Sequence, residues 1–280
     1  LDLAALAETV GLAQWHDAAR WHDAKVPYAL DAVPLAADHL CRLLAAARGL
    51  SRKCLVLDLD NTLWGGVIGD DGVDGIALGQ GSGTGEAFTA IQSLARDLRT
   101  RGIILAVCSK NEESNALIPF REHDEMVLKE EDIAVFVANW TDKASNLQHI
   151  AKVLNIGVDA LVFLDDNPAE RERVRQELPQ VAVPEVGADP AQYPLILSAA
   201  GYFEAVSFGD EDRKRADMYA ANAARSSAMQ KIGNMDDYLR SLDMVCSLRP
   251  FDALGRARTA QLVNKSNQFN LTTRRYDEDE

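Results

Sequence analysis

Cysteine is scarce in this chain: four among 280 residues, Cys41, Cys54, Cys108 and Cys246, widely scattered. No two have the close spacing of a metal knuckle or a redox pair, and three sit in apolar surroundings, which points to a reducing, cytoplasmic compartment. Basic charge is also short. Against 43 Asp and Glu stand 29 Lys and Arg, a formal charge of −14. Such a surface repels a phosphate backbone or an anionic bilayer, so neither nucleic acid nor membrane is an expected partner. No apolar run approaches the ~20 residues of a membrane span, and nothing at the start resembles a secretory signal. Core material is plentiful, with 47% of residues hydrophobic, enough for one large domain or two of ordinary size. The chain starts at Leu1 without a methionine and stops at YDEDE, as expected of a piece cut from something longer.

Residues 1–50 are Ala/Leu-rich and helical in pattern, broken by a Pro-punctuated loop, VPYALDAVP. Trp15 and Trp21 in that segment read as packing anchors. Five short apolar runs follow: KCLVLDL, GIILAVCS, IAVFVAN, ALVFLDD and QVAVPEV. Between them stand GEAFTAIQSLARDLRTRG, ASNLQHIAKVLNIG and NPAERERVRQELP, each long enough for a crossover helix. The alternation predicts an α/β fold over residues 51–187, a Rossmann-like parallel sheet covered by helices on both faces. Residues 188–280 read as a helical region, with one strand in SLDMVCSLRPF and a last helix in RARTAQLVNKSNQFNL, the opening of an incomplete α+β subdomain. The charged cluster Arg213, Lys214 and Arg215 reads as a solvated helix face.

The stretch LVLDLDNTLWGG puts two carboxylates, Asp58 and Asp60, at the end of the most apolar segment. In open parallel sheets the ligand site lies beyond the carboxyl ends of the strands. The other strand ends are polar too: Ser109 and Lys110, Asn139 with Lys143 soon after, and Asp165 with Asp166. Carboxylates from two strand ends repel in a partly buried site unless a cation lies between them, and oxygen ligands with room for water suit Mg2+. Of two aspartates two apart, one can attack while its neighbour handles protons, which is carboxylate nucleophilic catalysis at phosphorus through an aspartyl phosphate. Lys143 would neutralise charge and the Ser109 hydroxyl would donate to a phosphate oxygen.

In this order LDLDNTLW, VCSKN, the lysine of NWTDKASN and VFLDDNPAER resemble the four motifs of the haloacid dehalogenase superfamily of phosphatases and phosphoryl transferases. With WGG, GDDG, LGQGSGTGEAF and the distal NKSNQFNLTTRRY, they look like its FkbH-like branch, over residues 51–276. The resemblance implies a minimal cap and makes Asp58 the nucleophile, Asp60 the general acid/base, Ser109 the phosphate-binding hydroxyl and Lys143 the charge-neutralising lysine. Mg2+ would be held by Asp58, the Asp60 carbonyl and Asp166, with Asp165 as neighbour and partner. Asn61, Thr62, Lys110 and Asn111 would stand by the phosphate, and Thr62 would support the turn. Arg274 and Arg275 would meet a second phosphate or the glycerate hydroxyls. Glu170 reads as an ordinary first-turn helix acid.

The FkbH-like resemblance further implies acyl transfer: 1,3-bisphosphoglycerate loses both phosphates, and its glyceryl group is loaded on the phosphopantetheine thiol of an acyl carrier protein. Such proteins serve polyketide biosynthesis, free or as domains of a polyketide synthase. Where some relatives carry Cys between the first two aspartates this chain has Leu59, which removes the most convenient thiol. Cys108 is the best substitute by position, although it faces the opposite way from Ser109 along a strand; Cys54 reads as core. Only fifty residues separate Asp58 from Ser109, leaving WGGVIGDDG and GQGSG as a partial, hairpin-like flap over an open mouth that suits a thiol on a flexible arm. Two other readings stand beside this one: a phosphomonoesterase for a small metabolite, and a non-catalytic carrier-docking domain, against which the clustered charge argues.

Overall fold

Four of the apolar runs become the strands of one parallel sheet: β1 (Cys54–Leu57), β2 (Ile104–Ser109), β3 (Ile133–Ala138) and β4 (Leu161–Leu164). Their spatial order is β3-β2-β1-β4. In this computed structural model the described residues are 1–206, 208–209, 213–231 and 255–265, with single positions 240, 245, 247, 248, 250, 252, 253, 278 and 279. The chain divides into two compact units, Leu1–Gln230 and Lys231–Glu280. Among the described residues no helix is long and apolar enough to cross a membrane.

Four helices precede β1, others cross between the strands, and the rest follow β4. In chain order they are α1 (Leu3–Val10), α2 (Leu12–Trp15), α3 (Ala18–Ala24), α4 (Val33–Ala47), α5 (Ile68–Gly75), α6 (Gly83–Thr100), α7 (Glu113–Ala116), α8 (Ile118–Glu122), α9 (Lys143–Leu154), α10 (Pro168–Glu177), α11 (Tyr193–Ala199), α12 (Arg215–Lys231) and α13 (Arg256–Lys265). The helices α6, α9 and α10 start where a side chain caps them: the Ser82 hydroxyl accepts from Gly85 N, the Asp142 carboxylate from Ser145 N, and Asn167 Oδ1 from Ala169 N.

Strand alternation sorts side chains between two cores. Leu55, Leu57, Leu105, Val107, Val162 and Leu164 join Phe88, Ile91 and Leu98 of α6. Cys54, Val56, Ala106, Cys108, Leu161 and Phe163 join Leu147 and Ile150 of α9 and Val174 of α10. The register is in step, with Leu57 opposite both Val107 and Leu164. Asp58 and Asp165 therefore continue the α9-facing row of their strands, and both arrive on the side where α9 begins.

Three local expectations change. The run QVAVPEV makes only a parallel bridge, Ala182 to Val162, and does not extend as a fifth strand; Pro184, two residues on, has no N–H to give a ladder. The flap is not a plain hairpin, because a Gly65–Ala77 bridge closes it at the base and α5, kinked at Gly72 (φ 67°), fills it. Trp15 is buried against Tyr28, but Trp21 is 43% exposed with Lys25 over its ring. The strand expected in SLDMVCSLRPF falls mostly outside the described residues, and Arg274 and Arg275 lie outside them altogether.

Candidate active site

Asp58 follows β1 directly and is 6% exposed. Its Oδ2 lies 2.8 Å from Lys143 Nζ, and that ammonium also lies 2.5 Å from Asp165 Oδ2. Lys143 occupies the first position of α9, where the helix dipole disfavours a cation. Burial alone would lower its pKa; the Asp58 and Asp165 carboxylates together outweigh that, and the net shift is upward. The lysine is thus held charged by two strand ends.

One ammonium does not balance the carboxylates present. Asp58, Asp165 and Asp166 each offer an oxygen, all within 4.8 Å of one another. Burial raises the Asp165 carboxyl, and the Asp58 charge adds to this against the pull of Lys143, bringing it to about 7. The same two causes, burial first and then Asp58, raise Asp166. Both Asp165 oxygens already accept, one from Lys143 and the other from Asn167 N at 2.8 Å. Asp166 instead meets Thr62, whose hydroxyl donates to Asp166 Oδ1 at 3.3 Å and accepts from Asp166 N at 3.1 Å. Asp58 Oδ1 is buried and without a hydrogen-bond partner. An orphaned carboxylate oxygen amid two further carboxyls is the donor set a hard divalent cation fits.

Asp60 is held differently. Its Oδ1 accepts from Trp64 Nε1 at 2.9 Å and Ile68 N at 3.0 Å, and its Oδ2 from Asn111 Nδ2 at 2.8 Å. Burial raises its pKa, these hydrogen bonds draw it down, Asp58 adds to the rise, and the net direction is upward. Asn61 takes the left-handed conformation at φ 54° and its side-chain oxygen accepts from Gly66 N at 2.9 Å. That turn brings Trp64 back onto Asp60.

Among the other candidate residues, Ser109 ends β2 and is 2% exposed. Lys110 Nζ lies 2.5 Å from Glu170 Oε1, so the first-turn acid of α10 bridges to the end of β2. Cys108 packs into the α9-side core with its Sγ 3.9 Å from Lys143 O, and burial pushes its thiol pKa up. A thiol kept protonated in apolar packing is a poor nucleophile.

Three supporting residues escaped sequence reasoning. Trp64 orients Asp60 as above. Arg171, 3% exposed, donates to the carbonyls of Asp165 at 3.0 Å and Asp166 at 2.6 Å and pairs with Glu185 at 2.5 Å, fixing the acidic loop from below. Gln92 donates to Leu63 O at 2.8 Å and accepts from Val127 N at 2.9 Å, anchoring the base of the flap. Of the three only Gln92, an amide set in the apolar face of α6, carried a signal in the sequence.

No family model matches the chain, and no curated protein matches it. Among solved structures it is similar to the N-terminal part of the protein BF1531 from Bacteroides fragilis, a crystal structure containing a phosphatase domain complexed with Mg. The identity is 48% and the TM-score 0.70, over 74% of this chain and 55% of that chain. The fold is that of a haloacid-dehalogenase-like phosphatase domain. In a haloacid-dehalogenase-like sheet of this order, β1 is flanked on both sides, so Asp58 stands between β2 and β4 and can be reached from the ends of both.

Replacing Trp64 by Phe removes one hydrogen bond that lowers the Asp60 pKa. That pKa rises further, so any pH-rate limb on which Asp60 must be protonated moves to higher pH. A pH-rate profile of the variant checks this, and an unmoved limb would detach Asp60 from proton transfer.

Proposed function

We propose that this chain is a magnesium-dependent phosphatase of the haloacid dehalogenase type, and that its phosphatase chemistry serves glyceryl transfer to an acyl carrier protein in the FkbH-like manner. The observation that carries the first part is Asp58, one oxygen on Lys143 and the other unpartnered among Asp165 and Asp166. Asp58 and Asp166 would hold Mg2+ with the Asp60 carbonyl, and Asp165 would serve chiefly to anchor Lys143. The metal, when bound, offsets the negative charge of phosphate and carboxylates so that the two can meet.

An Asp58 oxygen attacks phosphorus and the bond from phosphorus to the leaving oxygen breaks. Asp60, its pKa raised, gives its proton to that oxygen. Asp60 then takes a proton from the water that attacks the aspartyl phosphate, and phosphate leaves with Asp58 restored. Lys143 neutralises charge on Asp58 and the transferring group, and Ser109 donates to a phosphate oxygen. For 1,3-bisphosphoglycerate this removes the phosphate ester. The carrier thiolate attacks the acyl carbon, forming the C–S bond as the bond from that carbon to the phosphate oxygen breaks and inorganic phosphate departs. The buried, protonated Cys108 favours direct transfer to the carrier over a glyceryl-enzyme.

Incubation with Mg2+, 1,3-bisphosphoglycerate and holo carrier proteins, followed by intact mass spectrometry, tests the whole reading. A glyceryl increment on a carrier is the expected result. Phosphate release with every carrier unmodified would leave phosphomonoester hydrolysis, the reading nearest the Bacteroides phosphatase domain. No release at all would leave a carrier-docking domain.

The metal proposal has a pH signature. A carboxyl whose folded pKa exceeds its unfolded one binds more protons folded, so metal-free stability falls as pH rises from about 4 towards the Asp165 value of about 7. Mg2+ takes the deprotonated Asp58 and Asp166 carboxylates, the latter raised by burial and by Asp58, so its stabilisation grows as the pH rises above about 4. At saturating Mg2+ the melting temperature should rise by about 5–10 °C at pH 8 and clearly less at pH 5. Equal shifts at both pH values, or none, would contradict a carboxylate-bound ion.

A further inference from the structure

A cavity of about 320 Å3 opens at the other end of the sheet, where the chain enters β1 and β2, between Arg52, Lys53 and Arg101. Lys53 stands five residues before Asp58, about 16 Å along the strand, and no residue of this cavity belongs to the acidic cluster. Its charge is opposite too. In a chain of −14 it is lined by these three cations and Arg215 of α12, against one acid among the described residues, Glu204. Arg52 donates to the carbonyls of Asp159 and Gln180, and Arg101 to that of Phe203 at 3.1 Å. Those bonds use one terminal nitrogen of each guanidinium, and carbonyls orient such a group without cancelling its charge. Neither arginine nor Lys53 is in an ion pair with a described carboxylate.

The apolar part of the wall carries the rings of Phe203, Phe208 and Tyr219 beside Ile103. Arg213 lies over the Phe208 ring at 5.3 Å, a further cation at that wall. At physiological ionic strength charges more than about 8 Å away are largely screened, so an anion in the cavity meets its cations and not the acidic surface beyond. Guanidinium forks and an ammonium match the oxygens of a phosphate, and aromatic walls match a flat ring. The volume lies at the lower end of the about 300–1,000 Å3 of small-molecule sites. It suits one nucleotide, not a folded partner.

We infer that this cavity is a second ligand site, remote from the acidic cluster, which takes a nucleoside monophosphate with its phosphate on Arg52, Lys53 and Arg101 and its base against Phe208 and Tyr219. The site is separate from the phosphatase chemistry and does not depend on the glyceryl-transfer reading.

Calorimetric titration of the full chain in EDTA with AMP, adenosine and inorganic phosphate tests this. Without Mg2+ the acidic cluster repels a phosphate, so an AMP signal belongs to the basic cavity. The expected result is saturable AMP binding, with adenosine and inorganic phosphate each weaker by about tenfold or more. Arg101→Gln should lower AMP affinity by about tenfold and Lys53→Gln by about threefold, while Asp58→Asn leaves it within about twofold. No AMP binding, adenosine or inorganic phosphate binding as tightly as AMP, or AMP affinity unchanged in both basic variants would overturn it. So would a loss in Asp58→Asn as large as that in Arg101→Gln. Lys53 is exposed, and its variant decides alone if Arg101→Gln fails to fold.

Discussion

Replacing Asp58 by Asn is expected to lower phosphate release by more than about a thousandfold without weakening the fold. The amide keeps the shape of the carboxylate but is no nucleophile towards phosphorus. It also removes one of three carboxylates crowded within 4.8 Å, two of them buried, so the part of the repulsion from Asp58 that adds to burial in raising Asp165 and Asp166 is relieved. Unfolding in urea without metal should show a midpoint equal to or above that of the wild type. The two signs together separate a chemical role from a structural one. A release rate within about tenfold of wild type would move the nucleophile to another residue.

Lys143→Met acts in the opposite sense. The ammonium is 4% exposed and its partners Asp58 and Asp165 are 9% and 0% exposed, so solvent does little to screen the pair. Removing one member of a buried ion pair leaves the other charge uncompensated, at a cost of about 3–5 kcal/mol, or roughly 10 °C of melting temperature for a unit of this size. Adding Asp165→Asn should recover a good part of that loss, because the orphaned charge goes too. Catalysis should stay low in both variants, since neither restores a cation beside Asp58. A single variant as stable as wild type would show that Lys143 does not hold the two strand ends together.

The sheet was legible because each of its strands is a short apolar run ending in polar residues, and parallel pairing leaves little freedom in where those ends meet. Asp58, Lys143, Asp165 and Asp166 follow from that alone, since the alternation that buries Cys54 and Val56 against α9 also turns Asp58 towards the start of α9. QVAVPEV misled because hydrophobicity alone does not weigh a missing proline N–H; a single bridge at Ala182 is what remains. Asp165 read as a neighbour and partner of Asp166 at the metal, and only the packed structure shows it gripping Lys143 while Asp166 turns to Thr62. Trp64 and Arg171 were illegible for a related reason. Their partners are fixed by the left-handed turn at Asn61 and by carbonyls at the end of β4, features of backbone path that residue type does not disclose. Trp21 was judged by its size, yet its segment leaves it 43% exposed.

The most direct test is a crystal structure of the chain with Mg2+ and beryllium fluoride, a mimic of an acyl phosphate on a carboxylate. One beryllium bound to an Asp58 oxygen, and one octahedral ion touching the Asp58 and Asp166 carboxylates, is the predicted result. Fluoride bound at another side chain, or an acidic cluster that stays free of metal at saturating Mg2+, would contradict it.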